Sequence, residues 1–415
     1  MKKVFKILIV VDSINVNDSS GSKANVALIK NLAECGFPIK VYHYSRKDIQ
    51  IESIPCYEIP ELKRNINYFL SRMQRLIQRH LNVNLAKFLE HIFGFSFTYF
   101  NDVNSIKKYL EKSTLNDFDL ILTLSKGASF RPHYAMLSFP NHHKRWMAYI
   151  HDPYPFHYYP EPYNWPEPGY KKKIDFFKVL SEKAKFSVFP SLLLKDWMGN
   201  YFPNFLKTGI VIPHQADNFS VSESKLPVYY NKHNFTLLHL GNLLKQRNPI
   251  YLIKAYKKFL EKNPAAIQNS NLLLLGPAKF HEGKIIEEIK DCNQIYFDSS
   301  YMEYDKAVLL QKETSVNIIL EAIAKSSPFL PGKFPTCVYA NKPILLVGPK
   351  NSETNRLLGE NYQYHAEADD EKRIAYVIQT LYDRWMENNN LNLDRKDLEY
   401  YISKDYLKEI FSQLN

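Results

Sequence analysis

A loop in the C-terminal half combines glycine with basic side chains where a predicted strand gives way to a helix. The strand pattern covers Phe235 to Leu240, the loop opens with Gly241 and Asn242, and Arg247 stands just before the helix. Glycine permits a tight turn with close backbone approach, and arginine supplies charge-assisted hydrogen bonds to phosphate. The loop is therefore a candidate anion site, although a strand, a glycine and a helix also make an ordinary turn.

A second candidate anion site lies further along the same half. Pro331, Gly332 and Lys333 precede a short helical pattern that opens at Thr336. Such a loop presents free backbone N–H groups at a helix start, and Lys333 adds a full positive charge, a combination that suits a pyrophosphate. Neither loop has Walker spacing and no GxGxxG follows the first strand, which disfavours ordinary ATPases and dinucleotide enzymes.

The N-terminal half offers polar residues at the ends of predicted strands. His151 and Asp152 follow the strand pattern Trp146 to Ile150, where an imidazole could hydrogen-bond a substrate hydroxyl or serve in a buried structural contact. Candidates for contact with a second substrate come from two further loops: Gly21, Ser22, Asn25, Ser125 and Lys126. No HExxH, GxSxG or CxxC occurs, so we expect neither a metal ion nor another cofactor.

The elements that must position these residues follow a doubly wound pattern. A strand at Ile7 to Val11, a helix at Ala24 to Cys35 and a strand at Ile39 to Tyr44 form a βαβ unit, and the pattern restarts after the polar stretch 216–225. We predict an α/β chain of two Rossmann-like domains, residues 1–215 and 216–390, which face each other across a cleft. A C-terminal helix in residues 391–415 is expected to cross back to the first domain. The remaining predicted strands cover Leu120 to Leu124, Phe186 to Phe189, Ile210 to Ile212, Leu272 to Leu275, Ile295 to Phe297, Val316 to Leu320 and Ile344 to Val347.

Charge is unevenly distributed along the chain, whose net charge is +11. Residues 1–215 hold 29 Lys and Arg against 18 Asp and Glu, whereas residues 216–415 hold 25 of each kind. The basic excess points to an anionic partner such as a lipid surface or a phosphorylated acceptor; a solvated basic surface is the alternative. No nucleic-acid-binding module is recognisable, so we predict no nucleic-acid partner.

The segment Arg64 to Gly94 predicts an amphipathic helix. Its apolar positions have helical spacing: Ile66, Phe69, Leu70, Met73, Leu76 and Ile77. Its basic positions are Arg64, Arg72, Arg75 and Arg79. This composition is typical of helices in anionic membrane interfaces, and the alternative is a helix whose apolar stripe packs on the sheet. No run approaches the roughly 18 apolar residues of a membrane span, so we expect a protein that is soluble or lies on a membrane surface. The four cysteines are far apart and form no CxxC, which fits a reducing cytoplasm. We therefore predict a cytoplasmic protein with peripheral membrane contact.

Taken in order, these segments resemble glycosyltransferases of the GT-B fold, family 4 in particular. The loop before Asn25, the His151-Asp152 pair, the Gly241 and Arg247 pair and the Lys333 segment occur in the family's order. The family's interdomain signature is approximated by Ile212-Pro213-His214-Gln215-Ala216-Asp217. The resemblance implies donor binding by Gly241, Asn242, Arg247, Pro331, Gly332, Lys333 and Thr336, with His151, Asp152, Arg247 and Lys333 as catalytic residues.

Two positions depart from the family pattern. Thr336 stands where the family has a ribose-binding Glu, and Pro328 replaces its paired Glu. The implied activity is metal-independent, retaining transfer of a sugar from a UDP- or GDP-sugar to a hydroxyl of a surface-polysaccharide (lipopolysaccharide-type) or lipid-linked acceptor. Two alternatives stay open, a GT-B-fold epimerase of the nucleotide sugar and a non-catalytic binding protein that derives from a transferase.

Overall fold

The computed structural model describes residues 5–81, 85–155, 160–163, 166–216 and 225–414. The chain divides into two compact units. The first comprises Met1–Tyr159, Asn164–Asp217 and Ser403–Asn415, and the second comprises Pro160–Tyr163 and Asn218–Ile402. Each unit is built on one sheet with parallel pairing, so the predicted α/β class with two doubly wound sheets is confirmed.

The first unit has a seven-stranded sheet in the order β3-β2-β1-β4-β5-β6-β7. Two of its inner strands, Ile7–Val11 and Leu120–Leu124, are buried at every residue, as expected for a parallel sheet that is covered on both faces. The strands are β1 (Ile7–Val11), β2 (Ile39–His43), β3 (Cys56–Glu58), β4 (Leu120–Leu124), β5 (Trp146–Tyr149), β6 (Phe186–Phe189) and β7 (Gly209–Val211).

Helices cover the two faces of this sheet. Alternate residues of β1 point to opposite sides, so that Leu8 and Val10 join one apolar cluster while Ile7 and Ile9 join the other. The helices up to the end of β7 are α1 (Ser20–Glu34), α2 (Ile66–Leu81), α3 (Leu85–Phe93), α4 (Phe97–Glu111), α5 (Arg131–Met136), α6 (Tyr170–Lys183), α7 (Leu192–Tyr201) and α8 (Asn204–Thr208), with 3-10 turns at Leu115–Asp117 and Pro140–Arg145.

The second unit has a six-stranded sheet in the order β10-β9-β8-β11-β12-β13. Its strands are β8 (Phe235–Leu240), β9 (Ser270–Leu275), β10 (Ile295–Asp298), β11 (Val316–Leu320), β12 (Ile344–Val347) and β13 (His365–Ala366). The helices that follow are α9 (Ile250–Lys262), α10 (Ala266–Asn269), α11 (Glu282–Ile289), α12 (Tyr304–Glu313), α13 (Phe334–Tyr339), α14 (Glu353–Leu358), α15 (Glu371–Glu387) and α16 (Lys396–Tyr401).

The last helix, α17 (Lys404–Ser412), belongs to the first unit. Leu407 and Phe411 are buried in the apolar cluster that α1 also covers, and Phe37 contacts the Phe411 ring at 5.2 Å between centroids. An ion pair of 2.8 Å between Lys404 and Glu34 lies at the surface beside it. The end of the chain is thus part of the core of the first unit.

The segment predicted as one amphipathic helix forms two helices, α2 and α3, and residues 82–84 between them lie outside the described part. The alternative in which its apolar stripe packs on the sheet is wrong. Ser71 and Gln74 form the buried side of α2, whereas Ile66 is 73% and Phe69 64% exposed. Residues 5–81, 85–155, 160–163, 166–216 and 225–414 contain no helix that is both long and apolar enough to cross a bilayer.

Candidate functional site

A lysine ammonium lies at the point where the strand order of the second unit reverses, between β8 and β11. Ligands of doubly wound sheets bind outside the carboxyl ends of the strands at this point. Nζ of Lys333 donates to the carbonyl oxygen of Ile318 on β11 at 3.0 Å and lies 3.2 Å from Nδ1 of His239 on β8. Lys333 therefore joins the two strands that flank the reversal.

The ammonium of Lys333 has an unusual environment. Burial lowers its pKa to about 7, and the nearby charge of Arg247 adds to this effect, while Glu321 opposes it. Burial also holds the pKa of His239 well below its usual value, so this imidazole is neutral and accepts from Lys333. An anion bound here would favour the protonated form of Lys333 and restore its charge.

Arg247 supplies a second cation at this point. Its backbone N–H donates to the carbonyl oxygen of Leu244 at 2.8 Å, which closes a turn before α9. Within the described residues, its guanidinium has neither a hydrogen bond nor an ion pair. The charge of Arg247 nevertheless acts on Lys333, His239 and Glu321. A partly exposed arginine with unused donors beside a half-buried lysine is well suited to hold a phosphate group.

Glu321 is a site residue that the sequence analysis did not identify. It follows β11 directly, is only 3% exposed and accepts a hydrogen bond of 2.6 Å from the hydroxyl of Thr354. Burial raises its pKa to about 7, against the lowering effects of Thr354 and Arg247. The sequence feature that could have identified Glu321 is an acidic residue directly after an apolar strand pattern. Glu321 can accept from a substrate hydroxyl when ionised and donate to one when protonated.

The other predicted donor-binding residues lie in the two loops around this point. Gly241 has φ +140°, which excludes most side chains, and a Cβ atom there would meet nothing within 4 Å. Asn242 and Gly332 are exposed, whereas Pro331 is buried. Thr336 is buried, and its hydroxyl donates to the carbonyl oxygen of Lys333 at 2.8 Å. Thr336 therefore fixes the backbone of Lys333, and its contact with a donor stays a prediction.

Three predicted residues of the first unit form a hydrogen-bonded chain. Nδ2 of Asn25 donates to the carbonyl oxygen of Ser125 at 2.9 Å, and its Oδ1 lies 3.0 Å from Nε2 of His151. Because Oδ1 can only accept, the proton of His151 is on Nε2. Within the described residues, Nδ1 of His151 is buried and has no partner. Burial holds the pKa of His151 well below its usual value, so Nδ1 is free to accept from a hydroxyl.

The remaining predicted residues of the first unit lie near this chain of hydrogen bonds. A Cβ atom on Gly21 would lie 3.3 Å from the backbone nitrogen of Gly127, so the glycine permits a close approach of two loops. The hydroxyl of Ser22 contacts that of Ser19, the residue that caps α1, at 3.1 Å. Lys126 forms an ion pair of 3.0 Å with Asp18. Asp152 is partly exposed beside His151, and Asp217 lies outside the described residues.

A buried ion network in the first unit was also missed. Asp12 follows β1 directly, is 3% exposed, and its Oδ1 lies 3.3 Å from Nη1 of Arg131. Nε of Arg131 lies 2.9 Å from Oδ2 of Asp102. The other oxygen of Asp102, Oδ1, accepts from Arg46 at 2.6 Å and from Tyr44 at 2.8 Å. Burial raises the pKa of Asp12 to about 6, and Arg131 opposes that rise. The signal was again a carboxylate directly after a buried strand.

The predicted membrane-facing arginines are all exposed. Arg64 precedes α2, and Arg72, Arg75 and Arg79 lie on it, with Arg75 bonded to the backbone of Ser71. Exposed apolar side chains occur on both α2 and α3. They are Ile66, Phe69, Met73, Leu76, Phe88, Ile92 and Phe93.

No model of a known protein family matches the chain, and no curated protein matches it in sequence. Solved structures do match over the whole chain. HepE of Anabaena, solved in complex with UDP and glucose, is 12% identical with a TM-score of 0.60, covering 99% of this chain and 98% of that one. A glycosyltransferase of Rickettsia africae is 14% identical with a TM-score of 0.56, covering 99% of each chain. The chain has the GT-B glycosyltransferase fold.

A sucrose-phosphate synthase of Thermosynechococcus elongatus shares this fold, at 11% identity and a TM-score of 0.63 over 98% of each chain. The predicted GT-B fold class is thereby confirmed. At sequence identities of 11–14%, these similarities show the fold alone. Membership of family 4 therefore stays a prediction.

Proposed function

We propose that the protein is a glycosyltransferase that takes a sugar from a nucleotide sugar and moves it to an acceptor hydroxyl. The observation that carries the proposal is the pair of cations at the strand reversal of the second unit. Lys333 bridges β8 and β11, and Arg247 stands beside it with free donors. A GT-B neighbour solved with UDP and glucose supports a nucleoside diphosphate as the anion.

In this proposal the leaving diphosphate is stabilised by protein cations. Negative charge grows on the diphosphate as its bond to the sugar breaks, and preorganised donors that face this charge lower the barrier. Arg247 and Lys333 supply such donors, so no metal ion is required. Glu321 hydrogen-bonds a hydroxyl of the donor. Its carboxylate thus replaces the glutamates that the resembling family has at the positions of Pro328 and Thr336. His151 accepts from a sugar hydroxyl through Nδ1.

The finer features of the function are also proposals. The acceptor is a surface-polysaccharide or lipid-linked glycan, and the reaction retains the configuration of the transferred sugar, as the family resemblance implies. The exposed apolar residues of α2 and α3, together with the arginines of α2, support peripheral binding to an anionic membrane. Such a position would bring the protein to a lipid-linked acceptor.

The transfer reaction is tested with a panel of UDP- and GDP-sugars. We expect slow release of nucleoside diphosphate from one donor without acceptor, and its acceleration by glycan or lipid-linked acceptors. Lys333→Ala should abolish release, whereas Lys254→Ala, which removes an exposed lysine of the same unit, should preserve it. Epimerised donor would favour the epimerase alternative. Binding of donors without any turnover would favour a non-catalytic protein, and full activity of Lys333→Ala would contradict the assigned role.

Membrane binding is tested by sedimentation with phosphatidylserine and phosphatidylcholine vesicles. We expect binding to the anionic vesicles that weakens as salt is added, because screening reduces the attraction of the arginines. Phe69→Ser should reduce binding, while Tyr376→Ser, at an equally exposed aromatic residue of α15, should not. No binding at low salt would remove the membrane from the proposal.

A further inference from the structure

The first unit contains a polar pocket of about 270 Å³ behind α3. Its walls come from α3, the start of α4, the loop after β4 and the start of α6, so it lies near the carboxyl ends of the sheet, where ligands of this architecture bind. Arg131, whose guanidinium is held by Asp12 at the end of β1, is part of its lining. No residue of the predicted acceptor set lines this pocket.

The charged groups of the pocket are already paired. Lys173 is 5% exposed, and its ammonium lies 2.7 Å from Glu167 and 3.8 Å from Glu90. Arg131 lies between Asp12 and Asp102. Each cation therefore has two carboxylate neighbours and has little positive charge left for an anion. A phosphorylated or carboxylated ligand would meet more negative charge than positive charge, which disfavours it.

Several uncharged groups of the pocket can still form hydrogen bonds. Tyr99 is 8% exposed, and within the described residues its hydroxyl has no partner. Burial raises the pKa of Tyr99 well above its usual value, so the phenol keeps its proton. Oγ of Ser96 accepts from the backbone nitrogen of Tyr99 at 3.2 Å, which leaves its hydrogen for another acceptor. A buried phenol without a partner costs free energy that a ligand hydroxyl would recover.

The pocket also has apolar walls. The rings of Phe95 and Tyr99 are stacked with centroids 4.2 Å apart, and Tyr154 lines another side. Carboxylates, hydroxyls and aromatic carbon in a small pocket match the alternation of hydroxyl and C–H groups on a sugar ring. The volume suits one ring. Neutral charge, hydroxyl donors and size thus all favour the same class of ligand.

We propose that this pocket is a binding site for one uncharged sugar residue of the acceptor. The term acceptor rests on the proposed transferase function; the sugar site itself rests on the pocket. The helix α3 connects it to the exposed apolar surface, because Glu90 faces the pocket while Phe88, Ile92 and Phe93 are exposed. A sugar attached to a membrane lipid could thus reach the pocket beside the surface that contacts the membrane.

The site is tested by saturation-transfer NMR on the full chain without any donor. The probes are glucose, galactose and N-acetylglucosamine, with glucose 6-phosphate and glucuronate as anionic counterparts. We expect signals from a neutral sugar, with Kd raised about tenfold in Tyr99→Phe and in Glu90→Gln, since each loses a hydrogen bond to ligand. Tyr134→Phe is the matched control, because Tyr134 belongs to the same aromatic cluster but does not line the pocket.

Three results would overturn the proposal: absence of signals from every neutral sugar, equal Kd values in wild type, Tyr99→Phe and Glu90→Gln, or tighter binding of the anionic sugars. Tyr99→Phe keeps the ring and removes a hydroxyl without a partner, so it should remain folded. Release of nucleoside diphosphate from the sugar donors, measured separately on the same protein preparations, distinguishes the two proposals. Sugar binding without donor turnover would support the pocket and contradict the transferase, whereas donor turnover with no sugar binding would do the reverse.

Discussion

Each unit places one buried carboxylate beside the point where its sheet reverses strand order, but the two carboxylates are surrounded by different charges. Asp12 follows β1 and Glu321 follows β11, each beside the point where its sheet reverses strand order. Burial raises the pKa of Asp12 to about 6 and that of Glu321 to about 7. In the first unit the nearby cation, Arg131, lies between two carboxylates. In the second, the guanidinium of the nearby Arg247 has no hydrogen-bond or ion-pair partner within the described residues.

The net charge of a long segment does not tell which of its cations lack a counter-charge. Residues 1–215 contain the whole basic excess of the chain, yet three of their partly or fully buried cations are paired with carboxylates: Arg131, Lys126 and Lys173. Residues 216–415 are neutral overall, yet Arg247 and Lys333 come together there. What decides the affinity for an anion is which cations remain without a counter-charge.

The largest effect is expected where a paired cation is removed. Arg131→Ala would leave Asp12 and Asp102 without their shared partner in a buried setting, at a cost of about 3 kcal/mol in the free energy of unfolding. The loss should shrink at about pH 5, because Asp12 can then take up a proton. Urea unfolding measures both values. Lys126→Ala, which breaks an exposed pair, should cost less than about 1 kcal/mol; an equal cost for both would contradict the comparison.

A smaller effect, on binding rather than stability, is expected where the cation has no partner. Arg247→Ala should weaken UDP binding by about 2 kcal/mol, roughly thirtyfold in Kd, through loss of charge-assisted hydrogen bonds. The free energy of unfolding should stay nearly unchanged, since the guanidinium has neither a hydrogen bond nor an ion pair within the described residues. Calorimetric titration and urea unfolding check the two halves of the prediction, with Lys254→Ala as control. If Arg247→Ala lowered the stability and left the UDP affinity unchanged, Arg247 would have the structural role that is assigned to Arg131, which would contradict the comparison.

The smallest effect concerns pH. Lys333 has a pKa of about 7 in the free protein, and a bound diphosphate raises it, so binding takes up a proton. UDP affinity should therefore fall roughly fivefold between about pH 7 and about pH 8 as the free lysine loses its charge. Ionisation of Glu321 over the same range acts in the same direction. Lys333→Ala should flatten the dependence of UDP affinity on pH. A steep dependence in that variant would mean that another group takes up the proton.

Much of the fold follows from local sequence patterns. Six strands have the predicted bounds, among them β1, β4 and β11, because buried parallel strands read as continuous apolar runs. Two edge strands, Cys56–Glu58 and His365–Ala366, were missed, since two or three residues give no pattern. Residues 391–415, predicted to contain a C-terminal helix, contain two short helices, α16 and α17.

The candidate site was harder to predict because its contacts are long-range. Arg247 and Lys333 were identified from loop composition, but nothing local indicates that Lys333 reaches His239, which is 94 residues away. The link between Asn25 and His151 spans 126 residues. Likewise, the helical period of α2 gives the width of its apolar stripe but not the direction it faces. Only the packing of Ser71 and Gln74 decides that the stripe is exposed.

The central claim, that the second unit binds a diphosphate through Lys333 and Arg247, is tested most directly by titrating UDP and uridine into wild type and Lys333→Ala. The two ligands share the nucleoside and differ in the diphosphate alone. The account predicts that wild type binds UDP far more tightly than uridine, and that this gap narrows sharply in Lys333→Ala while uridine affinity hardly changes. Equal affinities of wild type for UDP and uridine, or an undiminished gap in Lys333→Ala, would contradict it.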